Sequence, residues 1–137
     1  MVWAVIDREG WRLLCARCRP LFPSVFHPHV TLAYRVTRAE YQRRWPNAIG
    51  WTGMVRVTGC AANDRVQAAV VDLTAAPIVA VRGRPHITIW AAPGVQPVES
   101  NDMLAGPHRL GELSPPLDLE ARVEFVPFGD QPAPYDT

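Results

Sequence analysis

His29-Val-Thr-Leu32 and His86-Ile-Thr-Ile89 decide how this chain is read, because the same four-residue pattern occurs once in each half of the sequence. Each stretch follows a proline and alternates polar with apolar residues, which is typical of a half-buried β-strand. In a chain with 4 histidines, chance gives about 0.2 His-x-Thr triplets. Two triplets in matching contexts therefore indicate a pair of functional strands.

Alternate side chains of a strand share a face, so each motif presents one imidazole and one hydroxyl on the same side. An imidazole can take or give a proton near neutral pH, and a threonine hydroxyl can hold a phosphate oxygen. Two such units predict catalytic roles for His29, Thr31, His86 and Thr88, with no metal ion and no cofactor. The alternative is two ordinary strands whose polar residues make only local hydrogen bonds.

Working outward from the motifs, short elements fill the rest of the chain. The patterns predict strands over 2–7, 30–36, 54–60, 66–73, 78–81, 86–91 and 119–128. They predict helices over 8–18, from a capping box at Thr37 and Glu40 to about residue 44, and over 101–105 with Ser100 as a possible N-cap. Many strands and few short helices predict an α+β fold with mostly antiparallel strands.

The composition predicts one domain over residues 1–137, since 137 residues with 48% hydrophobic content suit one compact core. Residues 129–137 are expected to form a loose tail. The net charge of +1 is spread along the chain, which argues against duplex DNA as a partner and favours a small phosphorylated ligand. All 14 basic residues are arginine, a bias that a GC-rich genome explains better than phosphate binding does.

The location of the protein and the state of its cysteines are predicted from its apolar segments and its cysteine count. No apolar run reaches the roughly 18 residues of a membrane span, and the first residues do not resemble a signal peptide. Three cysteines, an odd number, favour a reducing compartment over a disulfide framework. We therefore expect a cytoplasmic protein. Cys15 and Cys18 share a helical face with Trp11 and Leu14, so core packing is preferred to a zinc site or a redox pair.

Three further residues are candidates for substrate binding. Trp90 has the parity of His86 and is expected on the same face, where a base could stack on it. Arg35 and Arg84 lie close to the two motifs and could reach a phosphate, although a solvated arginine is the simpler interpretation. Tyr34 has the opposite parity and is expected in the core.

The remaining polar candidates have simpler interpretations. His27 and His108 are expected to be solvated loop residues. Ser100 and Asn101 could contact a ligand, but capping a helix is the more common use of such a pair.

The two motifs resemble the paired signature of the 2H phosphoesterase superfamily, which includes the LigT-like cyclic phosphodiesterases. The resemblance implies a compact bilobal fold with pseudo-twofold symmetry, in which each lobe contributes one motif strand to a central groove. It implies metal-independent hydrolysis of cyclic phosphodiesters, commonly ribose 2′,3′-cyclic phosphates. His29 and His86 would then be general acid and base, and Thr31 and Thr88 would bind the phosphate.

The expected activity is therefore the opening of a cyclic phosphate on a nucleotide or an RNA end. Two alternatives stay open: a phage or bacterial enzyme that degrades cyclic di- or oligonucleotide signals, and a non-catalytic nucleotide-binding module. The motifs are closely spaced for this superfamily, so substrate-selecting loops are expected to be short. Which histidine is the acid, the base preference and the oligomeric state are left undetermined by the sequence.

Overall fold

A computed structural model describes residues 1–23, 26–73, 76, 83–96, 98–127 and 129–135. The strands are β1 (Val2–Ile6), β2 (His29–Ala33), β3 (Thr52–Ala62), β4 (Val66–Asp72), β5 (His86–Ala91) and β6 (Arg109–Phe125). The helices are α1 (Arg8–Arg17), α2 (Arg38–Arg44) and α3 (Glu99–Ala105), with a short 3-10 turn at Pro46–Ala48. The strand expected over 78–81 lies outside the described residues. None of the helices in the described part of the chain has the length and apolar character that a membrane span requires.

The six strands form a closed barrel in the order β1-β2-β5-β4-β3-β6, and β6 pairs with β1 to complete the ring. All neighbouring strands are antiparallel. The expected bilobal α+β fold with a central groove is therefore wrong, and the two motif strands are direct neighbours in one wall. Closure depends on Val2 pairing with Phe125 across almost the whole chain, and local sequence patterns carry no information about such a contact.

Strand β6 is longer than expected, since it begins at Arg109 and not near residue 119. In its ladder with β3, Leu117 pairs with Val57 and Glu112 pairs with Gly59, and the register shifts between these two pairs. Pro115 and Pro116 fall in that unmatched stretch. Because proline has no N–H to donate, it is tolerated in a strand where the ladder is already interrupted. The prolines hid the continuation of the strand from the sequence pattern.

The main core contains side chains from all six strands, mostly at alternate positions along each strand. Its strand members include Val2, Ala4, Ile6, Val30, Leu32, Val55, Val57, Ala69, Val71, Ile87, Ile89, Leu119, Ala121 and Val123. Helix α1 adds Trp11 and Leu14 to this cluster, and its C-cap residue Cys18 belongs to it as well. Since Val30 and Leu32 face the core, His29 and Thr31 face away from it.

Cys18 is bonded to Cys60, with the two Cα atoms 5.6 Å apart, and this disulfide joins the end of α1 to β3. Cys15 is left as a half-buried thiol, and burial raises its pKa to about 11. Cys18 is in the core, as the helical pattern predicts. The odd number of cysteines therefore reflects one disulfide plus one thiol, so it does not by itself indicate a reducing compartment.

Candidate active site

The two His-x-Thr motifs meet where β2 pairs with β5, and the matched position joins Val30 to Ile87 at the centre of each motif. In an antiparallel pair, the residues that flank such a position lie across from each other, with Cβ atoms roughly 5 Å apart. Each motif histidine is therefore placed opposite the threonine of the other motif. The cross-strand neighbours are His29 with Thr88 and His86 with Thr31. The structure thus brings the four predicted catalytic residues into one polar patch.

An apolar cluster borders the patch on the side of β1. Trp3 is the partner of Thr31 in the ladder, and Val5 is the partner of His29. Together with Val126 they form a small buried cluster, separate from the main core, which we call the Trp3 cluster. It gives the patch a fixed wall on one side.

A second apolar cluster borders the patch on the side of β4. Ala68 is the ladder partner of Thr88, and Val70 is the partner of His86. Met103 of α3 is buried in the same cluster as these β4 side chains, and we call it the α3 cluster. The four motif residues therefore form a polar strip between two apolar borders, where little water surrounds a charge.

His29 is held in one orientation and kept neutral. Its Nδ1 lies 2.6 Å from the carbonyl oxygen of His27, and its ring lies 4.6 Å from the ring of Trp3. The pKa of His29 is lowered to about 4, mainly by burial and to a smaller extent by charge repulsion from His27 and His86, although the hydrogen bond to the His27 carbonyl acts in the opposite direction. A carbonyl only accepts, so Nδ1–H must donate and Nε2 is left as the proton acceptor.

His86 makes the same local bond, since its Nδ1 lies 2.8 Å from the carbonyl oxygen of Arg84. Burial also lowers the pKa of this imidazole. His108 has an equivalent bond to the Gly106 carbonyl oxygen at 2.8 Å, so the bond alone is not a functional signal. What distinguishes His29 and His86 is that their strands are paired.

The two threonines differ in how firmly they are held. The Thr31 hydroxyl donates to the thioether sulfur of Met1 at 3.8 Å, a weak bond. Thr88 is 9% exposed, and its hydroxyl lies 2.9 Å from that of Ser100. Ser100 was expected to cap α3, but the helix begins at Glu99, and its N-cap residue Val98 makes no side-chain cap bond.

Ser100 is thus a site residue that the sequence pattern assigned to helix capping. Its side chain is fully buried and holds the second motif threonine in place. A serine at the start of a helix has the same sequence signal whether it caps the helix or bonds to a distant strand, so the pattern could not have separated the two.

Trp90 does not lie with the second motif. It belongs to the main core cluster, and its ring stacks on that of Phe22 with centroids 4.5 Å apart. The register between β4 and β5 shifts between Gln67 and Ala68, so the simple alternation that placed Trp90 beside His86 does not continue to it.

The two arginine candidates occupy different surroundings. Arg35 has a φ of 56°, and its guanidinium lies 5.7 Å from the centre of the Tyr34 ring. Tyr34 is 56% exposed, so its expected place in the core is wrong, because β2 ends at Ala33 and parity no longer applies. Arg84 is exposed, and its contribution to the site is the carbonyl that orients His86.

His27, which was expected to be solvated, is partly exposed and contacts two aromatic rings. Its ring lies 5.7 Å from that of Trp3 and 4.7 Å from that of Tyr135. Its Nδ1 lies 3.0 Å from the carbonyl oxygen of Ala133, and the Tyr135 hydroxyl donates to the Ile6 carbonyl oxygen at 3.2 Å. Residues 133–135 therefore pack beside the first motif.

Across the described ranges, no group of three His, Cys, Asp or Glu side chains is arranged to hold a metal ion. No protein-family model matches the chain, and no curated protein gives a significant match. Function is therefore inferred from the geometry of the polar strip.

Proposed function

We propose that the protein is a metal-independent phosphodiesterase that opens a cyclic phosphate, of the ribose 2′,3′ type, on a nucleotide or an RNA end. The observation that carries this proposal is the pairing of Val30 with Ile87, which sets each imidazole across from the hydroxyl of the other motif. The likeness to the 2H phosphoesterases is confined to these motifs, since the fold that it implied is not found.

Burial lowers the pKa of both histidines, and the larger drop at His29 makes it the proposed base. With a pKa of about 4, His29 is neutral at physiological pH, and its Nε2 is free to take a proton from water. His86 is the proposed general acid. A proton on His86 also keeps His29 neutral, because the two imidazoles repel each other when charged. A bound phosphate would favour the protonated form of His86 by attraction of opposite charges.

The proposed step is an in-line displacement at phosphorus. His29 Nε2 takes a proton from water while the water oxygen forms a bond to phosphorus. The bond from phosphorus to one ribose oxygen breaks, and His86 Nε2–H protonates that oxygen. The product is a phosphate monoester with a free hydroxyl, and exchange with solvent restores both imidazoles.

The threonines supply hydroxyl donors for the non-bridging phosphate oxygens. Thr88 can accept from Ser100 and donate to phosphate, because a hydroxyl both donates and accepts. Thr31 loses little by exchanging the Met1 sulfur for a phosphate oxygen, since hydrogen bonds to charged oxygens are the stronger ones.

The deciding experiment is a substrate panel. Purified protein is incubated with 2′,3′-cyclic nucleotides, an RNA bearing a 2′,3′-cyclic end and 3′,5′-cyclic dinucleotides, each with and without EDTA, and the products are separated by chromatography. We expect ring opening of 2′,3′-cyclic phosphates that survives EDTA. Loss of activity with EDTA, cleavage of cyclic dinucleotides only, or tight binding without turnover would each overturn the proposal.

A cytoplasmic location is part of the proposal and has its own test. A Cys18–Cys60 disulfide is more typical of oxidising compartments. If cells are lysed in denaturant containing a thiol-alkylating reagent, so that the buried Cys18 is accessible, a cytoplasmic protein should carry the label on both Cys18 and Cys60. Protection of that pair in freshly lysed cells would contradict the cytoplasmic location.

A further inference from the structure

A cleft of about 280 Å³ lies at the end of the polar strip. Its lining residues are Met1, Tyr34, Arg35, Val36 and Phe125. None of them belongs to the His-x-Thr motifs. The cleft has both aromatic and cationic walls, so its ligand can be inferred from their chemistry.

The cleft is continuous with the first motif. Met1 lines it and also receives the hydrogen bond from the Thr31 hydroxyl. The next residue, Val2, pairs with Ala33 of β2 on one side and Phe125 of β6 on the other. A group held at Thr31 is therefore separated from the cleft by a single flexible methionine side chain, and the rest of the same ligand can extend into it.

Two aromatic rings of the cleft each have a guanidinium over one face. Arg35 lies over Tyr34 at 5.7 Å, and Arg38 lies over Phe125 at 4.8 Å. The ion pairs found among the described residues include neither arginine. Flat rings and stacked guanidinium planes bind the π-face of a nucleobase, and free guanidinium groups attract its phosphate.

The backbone at Arg35 adds a second observation. Its φ of 56° lies in the left-handed region, which is uncommon for residues other than glycine, asparagine and aspartate. A strained conformation that persists next to a cleft points to a functional constraint. Here the residue in that conformation has its guanidinium over the ring of Tyr34, and both residues line the cleft.

We propose that this cleft is the base-binding subsite of the active site, and that the substrate is a single nucleotide unit bearing a cyclic phosphate. This inference rests on the proposed function. The phosphate lies at the polar strip and the base lies between Tyr34 and Phe125. The volume of about 280 Å³ is just below the usual range of ligand pockets, which run from roughly 300 to 1,000 Å³. It accommodates one base with its ribose, so a free 2′,3′-cyclic nucleotide or the terminal nucleotide of an RNA fits, and a stretch of stacked bases does not.

The test compares two substrates that differ only in the base: 2′,3′-cyclic AMP and the 2′,3′-cyclic phosphate of a methyl riboside. Tyr34→Leu removes the exposed ring, and Arg35→Gly removes the guanidinium while suiting the left-handed backbone. Phe22→Leu is the matched control, because Phe22 is 55% exposed and is not a lining residue of the cleft.

We expect wild-type protein to have a lower KM for the nucleotide than for the methyl riboside. Tyr34→Leu should raise the KM for the nucleotide about tenfold with little change in kcat, because the base loses the ring on which it stacks. Arg35→Gly should raise KM in the same direction. Turnover of the methyl riboside, which has no base to stack, should be the same in Tyr34→Leu as in wild type. Equal KM values for the two substrates in wild type, or an equal loss in Phe22→Leu, would overturn the base-binding subsite.

A binding measurement separates this inference from the proposed activity. Calorimetric titration with adenosine 3′-monophosphate needs no catalysis. Binding that is weakened in Tyr34→Leu and unchanged in Phe22→Leu supports the subsite even if no cyclic phosphate is hydrolysed. Absence of binding together with active hydrolysis of the methyl riboside removes the subsite and leaves the phosphodiesterase intact.

Discussion

The two His-x-Thr motifs have the same sequence pattern, but a different side chain is held firmly in each of them. In β2 the histidine is confined, since His29 packs on Trp3 and has a pKa near 4, whereas Thr31 has only a sulfur as its partner. In β5 the threonine is confined, since Thr88 is bonded to a buried Ser100.

This difference teaches how one sequence pattern can supply two chemical roles. Two identical imidazoles in identical surroundings would titrate together, so neither would be set as acid or base. Here burial lowers the pKa of both imidazoles, but more strongly in the first motif. The surroundings of the second motif favour a fixed hydroxyl. The asymmetry lies in the neighbours of the motifs and not in the motifs.

The largest expected effect concerns the histidines themselves. His29→Ala and His86→Ala should each lower kcat/KM for a 2′,3′-cyclic nucleotide by about a hundredfold or more, because each removes one partner of the acid–base pair. His108→Ala is the matched control, since His108 makes the same local bond to a carbonyl away from the motif strands. A motif variant that keeps full activity, or a His108 variant that loses as much, would break the comparison.

The second largest effect is expected in the pH dependence of kcat/KM, which should reflect the different pKa values of His29 and His86. The base must be deprotonated, so on the acid side activity should fall as the pH drops towards the His29 pKa of about 4. The acid must be protonated, and burial places the pKa of His86 below its usual 6.5, so kcat/KM should fall about tenfold per pH unit above that pKa. The optimum for the free enzyme is therefore expected between pH 4 and 6.5, measured as kcat/KM in buffers of constant ionic strength. An optimum above pH 7 would contradict these roles.

The threonines should differ in stability more than in activity. Thr31→Val and Thr88→Val each remove one hydroxyl that donates a hydrogen bond to the phosphate, and each should lower kcat/KM about tenfold. Thr88→Val also leaves the Ser100 hydroxyl buried without its partner, which should cost roughly 1–3 kcal/mol in the free energy of unfolding. Thr31→Val should leave that free energy nearly unchanged. Denaturant unfolding of both variants checks the contrast, and equal stability losses would remove it.

The smallest effect is expected at Ser100, a positioning residue. Ser100→Ala should lower kcat a few-fold, because Thr88 is then free to turn away from the phosphate. The decisive readout is a double-mutant cycle, since Ser100→Ala should have no further effect on kcat in a Thr88→Val background. Additive losses would show that Ser100 acts by some route other than Thr88.

The local elements could be predicted from the sequence because their causes are local. The capping box of Thr37 and Glu40 is found as expected at the start of α2. Strand β5 has the bounds that its β-branched residues indicated. Alternation also accounts for Val30 facing the core while His29 faces away from it. These features depend on residues within a few positions of one another.

The barrel and its finer details could not be predicted because their causes are distant or irregular. Ring closure needs Val2 beside Phe125, and no periodicity within either strand encodes that pairing. The position of Trp90 depends on a shifted register against a neighbouring strand. The bond from Thr88 to Ser100 joins a strand to a helix, so a pattern within either one does not indicate it.

The junction between β2 and β5 has a mechanical consequence for the ring. It is matched at one position, whereas the other described junctions are matched at four or more. Local opening should be easiest where the ladder is shortest, so backbone amides of the two motifs should exchange with deuterium before those of β3 and β6. A phosphate bound to both Thr31 and Thr88 would bridge this junction and slow that exchange. Bound substrate would therefore stabilise the junction that has the fewest matched positions among those described in the barrel.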